Sequence, residues 1–224
     1  MPGPPRKSLA PLSAAPQTLF MEPLTLTTDR LVLRPFEPSD AAAVHAACQE
    51  PDIPRWTSVP SPYGLQDAER FVGTASSEGW RDDTTYGFAV TAKADGSLVG
   101  AMALVRLAQL RTPERQAELG YWTTKEHRGQ GYTVEAARAV VRWAFHDLGV
   151  ERLEWLAEAG NHGSRAVARK VGFRMEGTLR ARLLHEGTRR DCWIGSLLPS
   201  DLPEPPGAAR TAAGDTTPYL PYPG

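Results

Sequence analysis

The residues best suited to chemistry lie in the segment HRGQGYT, residues 127 to 133, between a predicted strand and a predicted amphipathic helix. Its glycines at 129 and 131 permit backbone conformations closed to other residues, so successive N–H groups and the helix dipole can converge on one point. Such a point is suited to a phosphate or diphosphate. Positive charge is added by three side chains, Lys125, His127 and Arg128.

Two other nucleotide sites fit this segment less well. A dinucleotide-binding loop would have a third glycine or alanine where the chain has Val134. The phosphate loop of nucleoside triphosphatases would need Gly-Lys-Ser or Gly-Lys-Thr, which the chain lacks. A simple tight turn stays the plain alternative to a phosphate site.

The elements that must position this loop are predicted by hydrophobic periodicity and turn residues. Predicted strands cover 26–36, 85–93, 97–107, 116–124 and 152–159, followed by a hairpin through Glu186-Gly187. Predicted helices cover about 39–49, 65–80, 134–148 and 164–173, and a Pro-rich loop is predicted at 52–64. This order predicts an α/β (α+β) fold whose mixed sheet is covered by helices.

Residues 128 to 133 resemble the acyl-CoA diphosphate loop of the GNAT family, the Gcn5-related N-acetyltransferases, written Gln or Arg, two residues, Gly, one residue, Gly or Ala. Thr133 departs at the last position, where its branched carbon is expected to crowd the diphosphate slightly. The segment GNHGSRAVARKVGF, residues 160 to 173, is similar to the family's later motif, Asn, two residues, Ser, and a helix ending Lys-x-Gly-Phe. The similarity covers about 26–198 and is strongest to the ribosomal-protein N-terminal acetyltransferases.

The resemblance implies a mostly antiparallel sheet that is splayed between its fourth and fifth strands and flanked by about four helices. Acetyl-CoA would lie in that gap, and no metal is implied. A free backbone N–H near Tyr121 or Trp122 would bind the thioester oxygen, and Asn161 would hold the pantetheine or order its own loop. The residues implied to contact the cofactor are Tyr121, Trp122, His127, Arg128, Gly129, Gln130, Gly131, Tyr132, Thr133, Asn161 and Arg165.

Acetyl transfer to an amine requires the neutral amine, so a group must accept its proton. Glu118 is the candidate base, because it shares a strand face with Gly120 and Trp122 and would point into the site. The alternative for Glu118 is a solvated strand carboxylate. His127 is a second titratable group near the loop, although its position beside the phosphate site accounts for it sufficiently.

The departing thiolate needs a proton donor. In many members of the resembling family a tyrosine seven residues after the motif asparagine supplies it, but here that position is Ala168. Ser164, one turn earlier on the same helix face, is the expected substitute, and helix capping by its hydroxyl is the alternative.

The acceptor is expected to be a primary amine. At pH 7 a neutral α-amine costs about 1.4 kcal/mol and a neutral lysine about 4.6 kcal/mol, which favours an α-amine or an activated small amine. Arg55, Trp56 and Tyr63 are expected to flank it, with a plug on the core as the alternative for Trp56. The predicted function is acetyl-CoA-dependent N-acetylation of a protein N-terminus. A small-molecule acceptor, or an acyl-CoA-binding sensor without turnover, is the alternative.

Composition excludes several other classes. With 25 Lys and Arg against 26 Asp and Glu, the chain lacks the charge of a general nucleic-acid binder. No apolar stretch approaches the roughly 18 to 20 residues that span a membrane, and two distant cysteines predict a reducing, cytoplasmic setting. One domain is predicted at 24–198, as a monomer or homodimer, between disordered Pro-rich tails at 1–23 and 199–224.

Overall fold

One sheet of eight strands organises the part of the chain that the computed structural model describes, residues 21–202 and residue 219. Its strands are β1 (Leu26–Thr27), β2 (Leu31–Arg34), β3 (Tyr86–Ala92), β4 (Leu98–Val105), β5 (Gln116–Thr123), β6 (Arg152–Glu158), β7 (Arg174–His185) and β8 (Thr188–Leu197). Their spatial order is β1-β2-β3-β4-β5-β6-β8-β7, and β5 with β6 is the parallel pair among antiparallel neighbours. The predicted mixed, mostly antiparallel sheet is confirmed.

The helices of the described chain are α1 (Ala41–Cys48), α2 (Asp52–Trp56), α3 (Leu65–Arg70), α4 (Ser76–Arg81), α5 (Tyr132–His146) and α6 (His162–Val171). A π-helical stretch, Phe71–Ala75, joins α3 and α4 into the one helix predicted at 65–80. The prediction of a loop throughout 52–64 is wrong, because α2 occupies its first five residues. Proline is tolerated in the first turn of a helix, so a Pro-rich composition does not exclude one there.

The predicted first strand, 26–36, is divided into β1 and β2 by a turn. The Leu31 N–H donates to the Thr28 hydroxyl at 3.0 Å, and the Thr28 N–H donates to the Leu31 carbonyl at 3.0 Å. A threonine side chain that binds nearby backbone competes with strand pairing in this way.

The two faces of the sheet bear separate hydrophobic clusters. On one face α5 and α6 pack against the larger cluster, to which β5 contributes Ala117 and Leu119. On the other face α1 and α3 cover a second cluster, on which Trp122 of β5 packs. The apolar stripe predicted for α5 is confirmed, since these members lie in or against the larger cluster: Val134, Ala137, Val141, Ala144, Phe145 and Leu148.

Strands β5 and β6 pair over a short distance and then separate. Their parallel register runs from Gln116 opposite Arg152 to Glu118 opposite Glu154, while the strands continue to residues 123 and 158. The unpaired halves form a gap between strands, as predicted for 116–124 and 152–159. The gap therefore lies between the fifth and sixth strands and not between the predicted fourth and fifth. The count differs because the predicted first strand, 26–36, consists of two strands, β1 and β2.

The ends of the predicted domain pack on its core. Met21 and Leu202 are half-buried against the larger cluster, and Cys48 and Cys192 are buried and unpaired. The predicted disordered tails, 1–23 and 199–224, lie outside the described residues except for their inner ends and residue 219. Within the described ranges, every helix is too short or too polar to cross a membrane.

Candidate active site

The predicted diphosphate loop is a tight bend that leads directly into α5. Gly129 and Gly131 have φ angles of +75° and +82°, a region that glycine adopts without strain. The first backbone hydrogen bond of the helix runs from the Glu135 N–H to the Gly131 carbonyl, at 3.0 Å. The three N–H groups before it precede the helical ladder and point out of the helix start. This end is therefore suited to an anion, as the two glycines predicted.

Arg30, the residue before β2, holds this bend from a distant part of the chain. Its Nη1 donates to the Gln130 carbonyl at 3.2 Å, and its guanidinium lies 4.3 Å from the ring centre of Tyr132. It also forms an ion pair with Glu135 at 2.6 Å. Burial raises the pKa of Glu135, but hydrogen bonds from Thr28 and Arg30 outweigh it and hold that pKa below its usual range. Sequence reasoning missed Arg30 because its partners lie about 100 residues away.

Arg128 does not add free positive charge to the loop. Its Nη2 lies 2.6 Å from Glu50, its Nη1 lies 2.9 Å from Asp52, and its Nε donates to the Thr123 carbonyl at 3.1 Å. Two carboxylates thus compensate the positive charge of Arg128, which was predicted to bind a diphosphate. The anion-binding capacity of the loop rests on its main chain.

His127 and Thr133 tie the two ends of the loop to the sheet. The His127 Nδ1 lies 2.8 Å from the Thr124 hydroxyl. The Thr133 hydroxyl lies 2.6 Å from the Thr123 hydroxyl at the end of β5. Threonine at this position therefore has a structural role, namely to fasten the first turn of α5 to the strand beside the gap.

The main chain of β5 is unpaired on the side of the gap beyond Glu118. The Thr124 N–H donates to the Val99 carbonyl at 2.9 Å, which continues the ladder with β4. Because paired and unpaired positions alternate along an antiparallel edge, the N–H of Trp122 faces β4, whereas that of Tyr121 faces the gap. Of the two donors predicted for a thioester oxygen, the register favours Tyr121 and excludes Trp122.

Ser164 belongs to a hydrogen-bonded group on the α6 side of this gap. Its hydroxyl accepts from Trp155 Nε1 at 2.9 Å and donates to the Tyr121 hydroxyl at 3.2 Å, which donates in turn to the Ser164 carbonyl at 2.9 Å. Burial raises the pKa of Tyr121 to about 12, although the bonds to Ser164 and Trp155 lower it. Asn161 Oδ1 accepts the Ser164 N–H at 3.0 Å and caps α6, so the capping alternative for the Ser164 hydroxyl is wrong.

Glu118 lies on the opposite face of β5, in a cleft of about 200 Å³. Its Oε2 is 2.7 Å from Arg106 Nε, an ion pair whose geometry is not that of a hydrogen bond, so this buried atom lacks a donor in the described chain. Burial raises the pKa of Glu118 above its usual range. The charge of Arg106 lowers this pKa, and the charge of Glu154 raises it further. The residues that line the cleft are Arg106, Gln109, Gln116, Ala117, Glu118, Glu154 and Arg182.

Helix α2 crosses the open end of the gap. Asp52, its first residue, accepts a hydrogen bond from Arg128, which follows β5. Arg55, its fourth residue, donates to both carboxylate oxygens of Glu158, the last residue of β6, at 3.0 and 2.8 Å. These bonds lower the pKa of Glu158 below its usual range, against the effect of burial. The Arg55 guanidinium also stacks 4.0 Å from the ring centre of Trp56. Two predicted acceptor residues therefore lie at the rim of the gap.

Two further predicted site residues take part in packing. Tyr63 is half-buried against the cluster beneath α1 and α3, and burial raises the pKa of its phenol to about 12. The Arg165 guanidinium lies 4.6 Å from the ring centre of Trp193 on β8. Their roles in binding the acceptor and the cofactor stay predictions.

A sheet that opens at its parallel strand pair, with a glycine bend and a helix start beside the opening, defines the class of acyl-CoA-dependent N-acyltransferases. The family described as "Acetyltransferase (GNAT) domain" matches residues 30–174. The chain belongs to this family, which confirms the resemblance of residues 128 to 133 and 160 to 173 and the interpretation of the chain as an acetyltransferase.

Relatives of known name agree with this assignment. YdaF of Bacillus subtilis (strain 168), whose name proposes ribosomal N-acetyltransferase activity, is 40% identical over 104 residues, which cover 46% of this chain and 55% of YdaF, about half its length. Spermidine N(1)-acetyltransferase of Escherichia coli (strain K12) is 27% identical over 161 residues, which cover 71% of this chain and 81% of that enzyme. The structure of Mycobacterium smegmatis RimJ in complex with CoA-disulfide matches with a TM-score of 0.70 at 22% identity, over 82% of this chain and 93% of RimJ. This last likeness shows the fold.

Proposed function

We propose that the chain is an acetyl-CoA-dependent N-acetyltransferase whose acceptor is the α-amine of a protein N-terminus. The observation that carries this proposal is the meeting of two features at one place. The glycine bend of residues 129 to 131 opens α5 beside the β5–β6 gap, and the Tyr121 N–H faces into that gap. An anion site and an unpaired strand edge are what the diphosphate and the amide groups of an acyl-CoA require.

The residues present suit acetyl-CoA as the co-substrate. Acetyl-CoA supplies an acetyl group activated as a thioester. The main chain at the start of α5 would bind the diphosphate, and the Tyr121 N–H would donate to the thioester carbonyl. Thr133 keeps these two donors in fixed relation through its bond to Thr123.

The acceptor would enter on the face that bears Glu118. This carboxylate accepts the proton of the attacking amine, directly or through a water molecule. Its raised pKa, caused first by burial, makes it a stronger base than a solvated glutamate. Arg55 and Trp56 at the rim of the gap would position the acceptor chain.

Ser164 is proposed to give a proton to the departing thiolate. Ser164→Ala is expected to lower kcat about tenfold or more and leave the KM for acetyl-CoA nearly unchanged, because only the leaving step loses its donor. Steady-state rates with acetyl-CoA varied at saturating acceptor measure both constants.

The Ser164→Ala variant also leaves the buried Trp155 N–H without an acceptor, which costs about 1–3 kcal/mol of stability. Thermal unfolding must therefore accompany the kinetics. Tyr121→Phe is the matched control, since it removes a hydrogen-bond partner of Ser164 and leaves the serine hydroxyl in place. A loss below about threefold for Ser164→Ala in folded protein would make its role structural.

The acceptor is tested with the purified full chain. Thiol release from acetyl-CoA is measured with peptides that have free N-termini, the same peptides with blocked N-termini, and small amines. Release that requires the free N-terminus supports the proposal. Turnover of small amines alone would move the function to a small-molecule acetyltransferase, and binding of coenzyme A without release for any amine would favour a sensor.

A further inference from the structure

The β7–β8 hairpin displays a cluster of arginines without ionic partners. Within residues 180–191 four arginines are exposed, and none forms an ion pair with a described residue: Arg180, Arg182, Arg189 and Arg190. The same stretch contains two carboxylates, Glu186 and Asp191. Asp191 is engaged by the hairpin itself, because its Oδ1 accepts the Ala181 N–H at 2.9 Å. The chain has a net charge of −1, so this local excess of positive charge is not a property of the whole surface.

The β7–β8 hairpin that bears these arginines contains a β-bulge. The register shifts between Leu179, opposite Cys192, and Leu183, opposite Arg190, and Ala181 within the shift has a φ of +51°. A residue other than glycine in this region costs about 1–2 kcal/mol, and bulges redirect side chains beside active sites. The Asp191 carboxylate and the Arg189 Nη1, which donates to the Ala181 carbonyl at 3.3 Å, hold the bulge in place. These two contacts within the hairpin therefore stabilise the bulge.

The cluster borders the acceptor side of the gap. Arg182 lines the same cleft as Glu118, and its charge lowers the pKa of Glu118 against the larger effect of burial. The hairpin is fastened to α2, the helix across the gap, because His185 Nε2 lies 3.1 Å from the Pro54 carbonyl. The cleft lies on the face of β5 opposite α5. Arg182 is therefore placed to meet an acceptor, and the other three arginines lie near it on the same hairpin.

We propose that this arginine surface binds acidic side chains that follow the acetylated amine, so that the acceptor is a protein N-terminus with Asp or Glu shortly behind it. This inference rests on the proposed function and specifies its substrate. Exposed guanidinium groups without ionic partners attract carboxylates and repel polycations, which disfavours polyamine acceptors. The four guanidinium groups are distributed over two paired strands, β7 and β8, so the surface suits several carboxylates in one extended peptide better than a single small acid.

The test compares matched peptides on the full-length protein. One peptide begins with serine and has glutamate at positions two to four, and its partner has glutamine there. Thiol release from acetyl-CoA is expected to give a kcat/KM about tenfold higher for the acidic peptide at low salt, and the ratio is expected to fall as salt screens the exposed charges. Free glutamate and spermidine are measured beside them.

The combined variant Arg180→Gln, Arg182→Gln and Arg190→Gln is expected to abolish the preference for the acidic peptide. Because the charge of Arg182 lowers the pKa of Glu118, the ratio of the two peptides' kcat/KM values within each variant is compared, and not the absolute rate. Arg142→Gln is the control for removing an exposed arginine elsewhere on the surface, because Arg142 is exposed on α5, behind the opposite face of the sheet. Calorimetry with coenzyme A accompanies both variants. Unchanged affinity is expected, because the cluster is not part of the diphosphate loop.

Several results would overturn the inference while the proposed function stands. These are equal rates for both peptides, a preference that survives in the combined variant, and weaker binding of coenzyme A in the combined variant. Faster turnover of spermidine or free glutamate than of either peptide would overturn both the inference and the proposed acceptor. If no amine releases thiol, the proposed function fails. Fluorescence anisotropy with a labelled acidic peptide then decides on the surface alone: binding that the combined variant loses supports it, and no binding overturns it.

Discussion

Glu118→Gln is expected to lower kcat about 100-fold at neutral pH, because the variant has no carboxylate to accept the proton of the amine. In the native chain the rate should fall as pH decreases through the pKa of Glu118, which burial raises above its usual range. The variant should lose this dependence and keep only the one that comes from protonation of the amine itself. Rates across pH 5 to 9 with one peptide acceptor measure both effects.

Unfolding of this variant separates catalysis from stability. A carboxyl whose pKa is raised in the folded state contributes stability below its unfolded pKa, and this contribution is lost as pH rises through the folded value. Glutamine resembles the protonated form, so at neutral pH Glu118→Gln should be at least as stable as the native chain. Arg106, with a side chain 47% exposed, can be solvated when its partner is neutral.

Glu154→Gln is the matched control for Glu118→Gln, because Glu154 stands opposite Glu118 in the sheet and lines the same cleft. Its charge raises the pKa of Glu118. Removing it should keep most of the activity and move the acidic limb to lower pH. A pH profile of Glu118→Gln with the native shape would exclude Glu118 as the base.

Gly129→Ala is expected to weaken the binding of coenzyme A at least about tenfold. A Cβ at Gly129 would meet no atom within 4 Å, so the change acts through backbone strain at a φ of +75°, about 1–2 kcal/mol. If the loop relaxes to negative φ at residue 129, its backbone N–H groups turn away from the position of the diphosphate. Calorimetry with coenzyme A, in the absence of acceptor, measures the loss.

Gly187→Ala isolates the effect of strain alone. Gly187 has a φ of +72° and equally open surroundings, but it lies in the turn between β7 and β8. Both variants should lose similar stability, and Gly187→Ala should bind coenzyme A as the native chain does. Equal binding by both variants would mean that the main chain of residues 129 to 131 does not hold the diphosphate.

Features that depend on neighbouring residues could be predicted from the sequence. The α5 stripe follows a 3.6-residue period, and the hairpin at Glu186-Gly187 follows from turn chemistry. The bend at Gly129 and Gly131 follows from the need for positive φ. The sequence also placed Glu118 and Trp122 on one strand face, because side chains in a strand alternate.

Features that depend on distant contacts could not be predicted in this way. Arg128 was expected to face a phosphate, but Glu50 and Asp52 compensate it, and those carboxylates lie more than 70 residues away in the chain. Ser164 was expected either to cap α6 or to donate a proton. Its bonds to Tyr121 and Trp155 arise only when β5, β6 and α6 come together.

The sequence by itself determined the family, the alternating elements and the glycine bend, because periodicity, backbone freedom and local hydrogen bonds operate between residues close in the chain. Tertiary structure alone decided which charges are compensated, which backbone N–H faces the gap and which arginines on the hairpin stay without ionic partners. An ion pair or a strand register depends on which distant residues the fold brings within about 4 Å, and no local pattern specifies that distance.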